Sequence, residues 1–239
     1  KLSQTFPIEP VSKAAEMGSI GHKLAEIKTK AFLINIDKYK SNSDQASQME
    51  CIKEILADPN YDESLNEMAD DVLNQHIKPL IAEASKHEIW EVFLEQRLDL
   101  SSFIPQSHGT ADVVILFDKT LIVLDHKFGS MRVSAENNPQ LMIYGLGALA
   151  KFDMLFDIEK VKLIITQPRL DSYDEWEVSV QDLLDWKIKD LMPVAKQAFL
   201  GEGNFNPGSW CHFCPARQTC RARSEYSLEI ARHDFKEPA

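Results

Sequence analysis

Four cysteines in 239 residues are too few to staple a chain of this length, so no disulfide framework is expected. Three of the four fall within ten residues, which reads as a metal site in a reducing compartment. Long apolar runs are missing too. None approaches the roughly 18 residues of a membrane helix, so no membrane association is expected. No secretory leader is visible, and the chain begins at Lys1 rather than Met, which reads as a segment trimmed or left out before it. Positive charge is in short supply: 26 Lys and Arg stand against 37 Asp and Glu, a net charge of −11. That balance argues against wrapping a polyanion by bulk electrostatics and leaves such contact to a local basic patch. Repeats and low-complexity segments are absent as well. What remains is 44% hydrophobic and 26% charged, ordinary for a soluble globular chain and long enough to bury a substantial core.

The first third of the chain has helical periodicity. Residues 12–38 place Leu24, Ile27, Ala31 and Ile34 on one stripe behind Ser12 as N-cap. The polar stretch 40–47 reads as an exposed loop, and a second helix is expected over about 44–57. A third runs over about 62–86, with Met68, Val72, His76, Leu80 and Ala84 spaced by four. The period then changes. Strands are expected over 89–100, 110–117 and 120–128, followed by a helix over 137–152 with Asn138 as N-cap and Pro139 at its first position. Two more strands, "VKLIITQP" and "WEVSV", precede a helix over 182–200. The expected architecture is an α/β core behind an N-terminal helical layer, with a short Cys-rich tail. Its regions are 1–88, 89–200 and 201–239, all within one compact domain.

The stretch "VILFDKTLIVLDHKFG" (114–129) reads as a hairpin turning at Asp118-Lys119. If those residues form the turn, opposed positions sum to 237 and Asp112 faces Asp125. Asp-Lys is not a favoured pair for a two-residue hairpin turn, although a symmetric four-residue loop keeps the same register. Lys127 shares the face of Asp125, and His126 points the other way. Two opposed carboxylates repel, and an apolar setting adds a desolvation cost. A divalent cation between them removes both penalties, and Mg²⁺ is typically held by one or two carboxylates plus water and phosphate. A lysine beside such a cation can orient a water or offset phosphate charge. This is the outline of a metal-dependent phosphodiesterase site.

These residues resemble the PD-(D/E)XK nuclease superfamily, and within it the RecB-like branch. The resemblance rests on "GSIGHKLAE" with His22, "GTADVVI" with Asp112, "LDHKFG" with Asp125 and Lys127, and "QLMIY" with Gln140 and Tyr144. It looks closest to a phage and prophage family catalogued as a domain of unknown function, through "VSAENNPQLMIYGLGAL", "ITQPRLD" and "WCHFCPARQTCRAR". The resemblance implies a restriction-endonuclease-like core, with a mixed central sheet flanked by helices. It implies that His22, Asp112 and Asp125 hold Mg²⁺ or Mn²⁺, with the His126 carbonyl as a further ligand. Lys127 would be the catalytic lysine, and Gln140 and Tyr144, one helical turn apart, would support the site or touch DNA. Glu95 is a weaker candidate from the preceding strand. His108 is assigned to a loop.

The tail "CHFCPARQTC" places Cys211, Cys214 and Cys220 in a C-x2-C-x5-C run, competent for zinc or an iron–sulfur cluster but one ligand short of four. Related RecB-like nucleases carry an iron–sulfur cluster whose fourth cysteine precedes the motif histidine. Here no cysteine precedes His22, so the ligand lies upstream of Lys1, or Cys51 or His212 substitutes. The resemblance favours [4Fe–4S] over Zn²⁺. Such a centre would tie the tail to the N-terminal helix. Arg217, Arg221 and Arg223, with Trp210 and Phe213, form a locally basic stretch that suits a DNA-backbone contact or simple solubility.

The expectation is therefore a Mg²⁺- or Mn²⁺-dependent deoxyribonuclease, exonuclease rather than endonuclease, in the bacterial cytoplasm and phage- or prophage-encoded. A role in recombination or DNA processing beside a single-strand annealing protein follows by family association. The rivals are a non-cleaving nuclease-fold protein that binds DNA or assembles with partners, and a zinc-bearing adaptor.

Overall fold

The structure is a computed structural model that describes residues 12–38 and 44–235. The expected loop at 40–47 lies partly outside them, and from Asp44 onward the chain is helical. Two compact units are distinguished, Ser12–Pro193 and a second that holds 194–235. No helix among the described residues is long and apolar enough to cross a membrane.

The larger unit is a mixed α/β fold built on a five-stranded sheet flanked by helices. The strands are β1 (Trp90–Asp99), β2 (His108–Phe117), β3 (Thr120–His126), β4 (Lys160–Gln167) and β5 (Ser172–Ser179), in the order β1-β2-β3-β4-β5. All neighbours are antiparallel except β3 and β4, which run parallel because helix α5 (Pro139–Phe156) carries the chain back between them. Asn138 caps α5 by accepting from the amides of Gln140 and Leu141, and Pro139 occupies the first turn, where a missing N–H is harmless.

The two sheet faces are covered differently. One packs Val114, Leu116, Leu121, Val123, Leu163 and Ile165 against α5 and α6 (Val180–Trp186). The other packs Val113, Ile115, Ile122, Leu124 and Ile164 against the N-terminal helices α1 (Lys13–Asn35), α3 (Glu63–Asp71) and α4 (Lys78–Ala84), with Ile55 of α2 (Asp44–Ala57) in the same core. The N-terminal helices are thus the second wall of the sheet. That explains why they fall in one unit with it.

Helix α1 turns a different stripe inward from the expected one. Ile20, Gly21, Leu24, Ala25, Thr29 and Leu33 are buried, whereas Ala31 is exposed. Small residues at 21 and 25 let the helix approach closely, and the Thr29 hydroxyl enters the core satisfied by the Ala25 carbonyl at 2.7 Å. The expected single helix 62–86 is interrupted by a π-helical turn, Val72–Ile77, between α3 and α4. Its buried stripe is Leu65, Ala69, Leu73, Ile77 and Ile81; of the expected stripe only Val72 and Ala84 are buried. Four α-helical residues overshoot a full turn by about 40°, and the wider π turn takes that excess back. The stripe stays aimed at the sheet.

The expected helix 182–200 starts two residues earlier, because the Ser179 hydroxyl caps α6 through the Asp182 amide at 3.0 Å. It also contains a π turn, Lys187–Leu191, before α7 (Met192–Leu200). The 194–235 unit holds most of α7, a 3-10 turn at Ser209–Phe213 and a helix not expected from the pattern, α8 (Arg221–Asp234).

Candidate active site

The hairpin turn at Asp118 and Lys119 is real. Both residues have positive φ, 39° and 61°, as a two-residue type I′ turn requires despite the unfavoured side chains. The β2–β3 rungs run from Phe117↔Thr120 to Val113↔Leu124, so opposed residues sum to 237 as expected. Asp112 and Asp125 lie one step beyond the last rung.

At that step β1 and β2 both break pattern. Leu94 pairs with Val113 and Gln96 with Ala111, which leaves Glu95 and Asp112 facing each other without a rung. Glu95 is left-handed, φ 46°. Beyond this point both strands exchange faces: Ala111 and Leu98 pack with the α5-side core that holds Val114, although regular alternation would put them on the other side. The paired irregularity has a consequence for the two acids. Rather than sharing one face squarely, they are held by opposite walls of the sheet.

Asp112 is held from the α1 side. Its Oδ2 lies 3.2 Å from His22 Nδ1 and accepts from the His126 amide at 2.6 Å. His22 is delivered by Gly21, where a Cβ would meet the Phe128 ring at 2.5 Å, so α1 rests directly on Phe128. The His22 ring packs edge-on to that phenyl, with centroids 5.4 Å apart. Burial alone would raise Asp112; the His22 hydrogen bond, the neighbouring imidazoles and the His126 amide outweigh it and lower the pKa. Burial likewise acts to lower His22, but the bond to and charge of Asp112, then the charges of Asp125 and Glu95, raise it.

Asp125 is held from the α5 side. It is 3% exposed, with Oδ1 accepting from Gln140 Nε2 at 3.1 Å and Oδ2 lying 2.6 Å from Lys127 Nζ. That ion pair lacks the directionality of a hydrogen bond, and Oδ2 is the one buried side-chain polar atom among the described residues left without such a partner. Burial first, then the charge of Asp112, push the Asp125 pKa up to about 6 against the pull of Lys127. Lys127 Nζ also donates to Gln140 Oε1 at 2.9 Å, and Gln140 Nε2 reaches the Tyr144 hydroxyl at 3.2 Å. Tyr144 fits because Gly109 has no side chain: a Cβ there would stand 2.6 Å from the ring.

His22, Asp112, Asp125, Lys127, Gln140 and Tyr144 therefore form one connected group. His126 contributes its backbone amide; its imidazole is buried, bonded to Thr166 Oγ1 at 2.7 Å, and pushed down to about 4 by burial. Glu95 belongs with them more closely than strand alternation suggested. Partial desolvation, then the charges of Asp112 and Glu26, raise it to about 7, although its contact with water softens the rise. Glu26 was missed, and its spacing could have found it: it lies one helical turn after His22, paired with Lys30 at 2.6 Å. Phe128 and Thr166 have no such signal, because their role depends on long-range packing.

A divalent cation fits this donor set in its chemistry. A buried carboxylate whose charge is disfavoured, a second acid whose charge bears on it and a nearby imidazole make a donor set that such a cation relieves. Among the described residues no three His, Cys, Asp or Glu side chains converge as a closed cage. Water, backbone or substrate oxygens would complete any coordination shell, as is usual for Mg²⁺.

The tail cysteines sit apart in sequence. Cys211, Cys214 and Cys220 are half-buried free thiols, with the Gly208 amide donating to Cys211 Sγ at 3.4 Å. Among the described residues they do not converge as a three-ligand group. Cys51 packs against the helical core. Arg223 donates to the Arg217 carbonyl at 2.6 Å and Arg221 pairs with Glu225 at 2.7 Å, so these arginines brace the tail itself. His108 opens β2 and is exposed.

The fold and site define a mixed α/β protein with a buried acid–lysine group at one end of a mixed sheet. The chain belongs to the family described as protein of unknown function (DUF2800), which matches residues 1–239. Among solved structures, the crystal structure of SSO0001 is similar at 14% identity over 83% of this chain and 95% of that one, with a TM-score of 0.33. The crystal structure of protein VC1899 from Vibrio cholerae is similar at 12% identity over 83% of this chain and 59% of that one, with a TM-score of 0.26. Likenesses this remote carry no argument about fold or function.

Proposed function

We propose that this protein is a Mg²⁺- or Mn²⁺-dependent deoxyribonuclease of PD-(D/E)XK type, RecB-like, acting as an exonuclease. The observation that carries the reading is the buried Asp125 carboxylate, paired with Lys127 at 2.6 Å yet raised by burial and by the charge of Asp112. A structural role alone leaves this net penalty standing, since burying interacting acids opposes folding.

Asp112 and Asp125, with His22 and the His126 carbonyl, would hold the cation. When bound, it would lower the pKa of a water and offset charge on a phosphate. Lys127 supplies a fixed ammonium for the attacking water or a phosphate oxygen. Gln140 holds that ammonium by accepting from it and steadies Asp125 by donating to it. Tyr144 supports Gln140 from the next turn of α5. The spacing of the tail cysteines supports a [4Fe–4S] or Zn²⁺ centre there as a structural staple, and the resemblance supports a phage setting beside a single-strand annealing protein.

The test is digestion of end-labelled linear DNA and circular DNA with Mg²⁺ or Mn²⁺. Wild type should release nucleotides from ends and spare circles, while Asp125→Ala and Lys127→Ala should lose at least a hundredfold in rate. Equal rates in all three proteins would refute the assignment. A second reading, a DNA-binding or assembly subunit without cleavage, is favoured by one observation: His22 and Lys127 already supply partners to the two acids. Binding without cleavage under any divalent cation would select it.

A further inference from the structure

Helix α5 carries more than the site residues. Gln140, Tyr144, Gly147 and Lys151 follow one another at spacings of four, three and four, and so lie along one face of the helix. That face leads away from Asp125 to a cleft of about 820 Å³ between α5 and the far ends of β1 and β2. The lining is mixed polar and apolar and carries two cations, Arg97 and Lys151, with His108, Gln96 and the hydroxyls of Ser102 and Ser107. The Lys151 ammonium reaches only the Arg97 carbonyl, at 3.5 Å, and the Phe152 ring; neither it nor Arg97 pairs with a carboxylate among the described residues. Asp99, the acid in the lining, accepts from the Ser101 amide at 2.9 Å and lies in the field of Arg97, so it offsets part of the positive charge.

Tyr144 connects the two places. Its hydroxyl bonds to Gln140 and its ring lies on Gly109, next to His108. Gly147 lets α5 pack closely on β1 at the floor, because a Cβ there would meet Leu100 at 2.7 Å. In a chain of net charge −11, a cleft that carries Arg97 and Lys151 against the single acid Asp99, on the same face of α5 as Gln140, suits a polyanion reaching that site.

We infer that this cleft is a subsite for the sugar–phosphate backbone of a single nucleic-acid strand whose scissile bond lies at Asp125 and Lys127. The inference rests on the nuclease reading. Residues 140 and 151 stand about 16 Å apart along the helix axis. That distance is about five nucleotide steps at the stacked rise of about 3.4 Å, and about half as many in an extended strand. The cleft volume is that of a site for a small ligand, so it accommodates a few nucleotide units of one strand and not a duplex. Arg97 and Lys151 hold phosphates, and the Tyr144 ring offers a stacking face between them and the site.

The test uses the full chain and fluorescein-labelled oligothymidine, one version long and one cut back to about two nucleotides, which holds only the scissile bond and is too short to reach the cleft. Anisotropy is read with Ca²⁺ and cleavage with Mg²⁺. Arg97→Glu and Lys151→Glu should weaken binding of the long strand at least tenfold and lower the salt slope by about 0.7 per lost contact. The loss should fall on KM rather than kcat, and the advantage of the long strand over the short one should collapse. Arg97→Gln and Lys151→Gln give the same comparison should a charge reversal disturb folding. Wild-type behaviour of all four variants, while wild type binds and cuts, overturns the cleft and leaves the nuclease reading standing. Equal losses on both strands, or a preference of wild type for duplex, also overturn it. A wild type that neither binds nor cuts overturns both.

Discussion

Asp125 carries a buried electrostatic conflict, and it sets a pH signature. Its folded pKa of about 6 lies above the ordinary 3.8. Above pH 6 both states are ionised and the folded chain bears the whole penalty, about 3 kcal/mol by its size. As pH falls from about 6 toward 3.8 the folded state takes up the proton first, so the penalty is relieved and stability from this group rises. Asp125→Asn should therefore melt several degrees higher than wild type above pH 6 without divalent cation, and the gain should shrink below that pH. Mg²⁺ or Mn²⁺ should raise the wild-type melting temperature above pH 6 and leave Asp125→Asn unmoved. Thermal melts across pH, with and without cation, read both effects; a cation shift equal in the two proteins would remove Asp125 from the binding site. Lys127→Arg is a further probe. The planar guanidinium does not reproduce an ammonium that serves Asp125 and Gln140 together, so activity should fall as it does in Lys127→Ala.

At the scale of elements, the β2–β3 hairpin shows what a local pattern determines. The register followed from the apolar alternation and from the position of the turn, because a slip by one residue would expose a whole buried face. The turn forms against the preference of its own residues. Replacing Asp118-Lys119 by Asn-Gly should raise stability by about 0.5–1 kcal/mol, since both residues hold positive φ. The two surface ion pairs lost with Lys119, to Asp157 and Glu159, offset little of that. A melt no higher than wild type would show that the pairs matter more. Helix α1 is the opposite case: its contact with Phe128 depends on Gly21, and no local periodicity announces it. Gly21→Val should cost about 1–3 kcal/mol and displace His22 from Asp112. Cleavage should fall by more than stability explains, measured well below the melting temperature. The matched break at Glu95 and Asp112 was equally illegible, because it requires two strands to change face at one level.

For the whole molecule, the division into 12–193 and 194–235 sets sheet and N-terminal helices together and the Cys-bearing tail apart. The tail unit leaves Val194, Phe205 and Trp210 each more than 60% exposed. A unit this short is hard to stabilise by burial alone, and a metal staple is the usual remedy. Replacing Cys211, Cys214 and Cys220 together by serine should raise protease sensitivity within 194–235. It should also abolish any sulfur-to-iron charge-transfer absorption of anaerobically purified protein. Unchanged proteolysis and unchanged metal content would assign the thiols to no centre.

By itself the sequence determined the five strands and the helices around them, the hairpin register, the Asn138 cap and the shared face of Asp125 and Lys127, all of which depend on neighbours within a strand, a turn or a helix. Helix α8 and the two π turns were not legible. Tertiary structure alone decided which stripe of α1 and of the α3–α4 helix faces inward. It also decided that His22 meets Asp112 while Gln140 meets Asp125, and that Glu95 joins the acids. The physical reason is range. Backbone hydrogen bonding and side-chain alternation are settled over a few residues, whereas close packing over a glycine and the crowding of buried charges depend on segments brought together from opposite walls of the sheet.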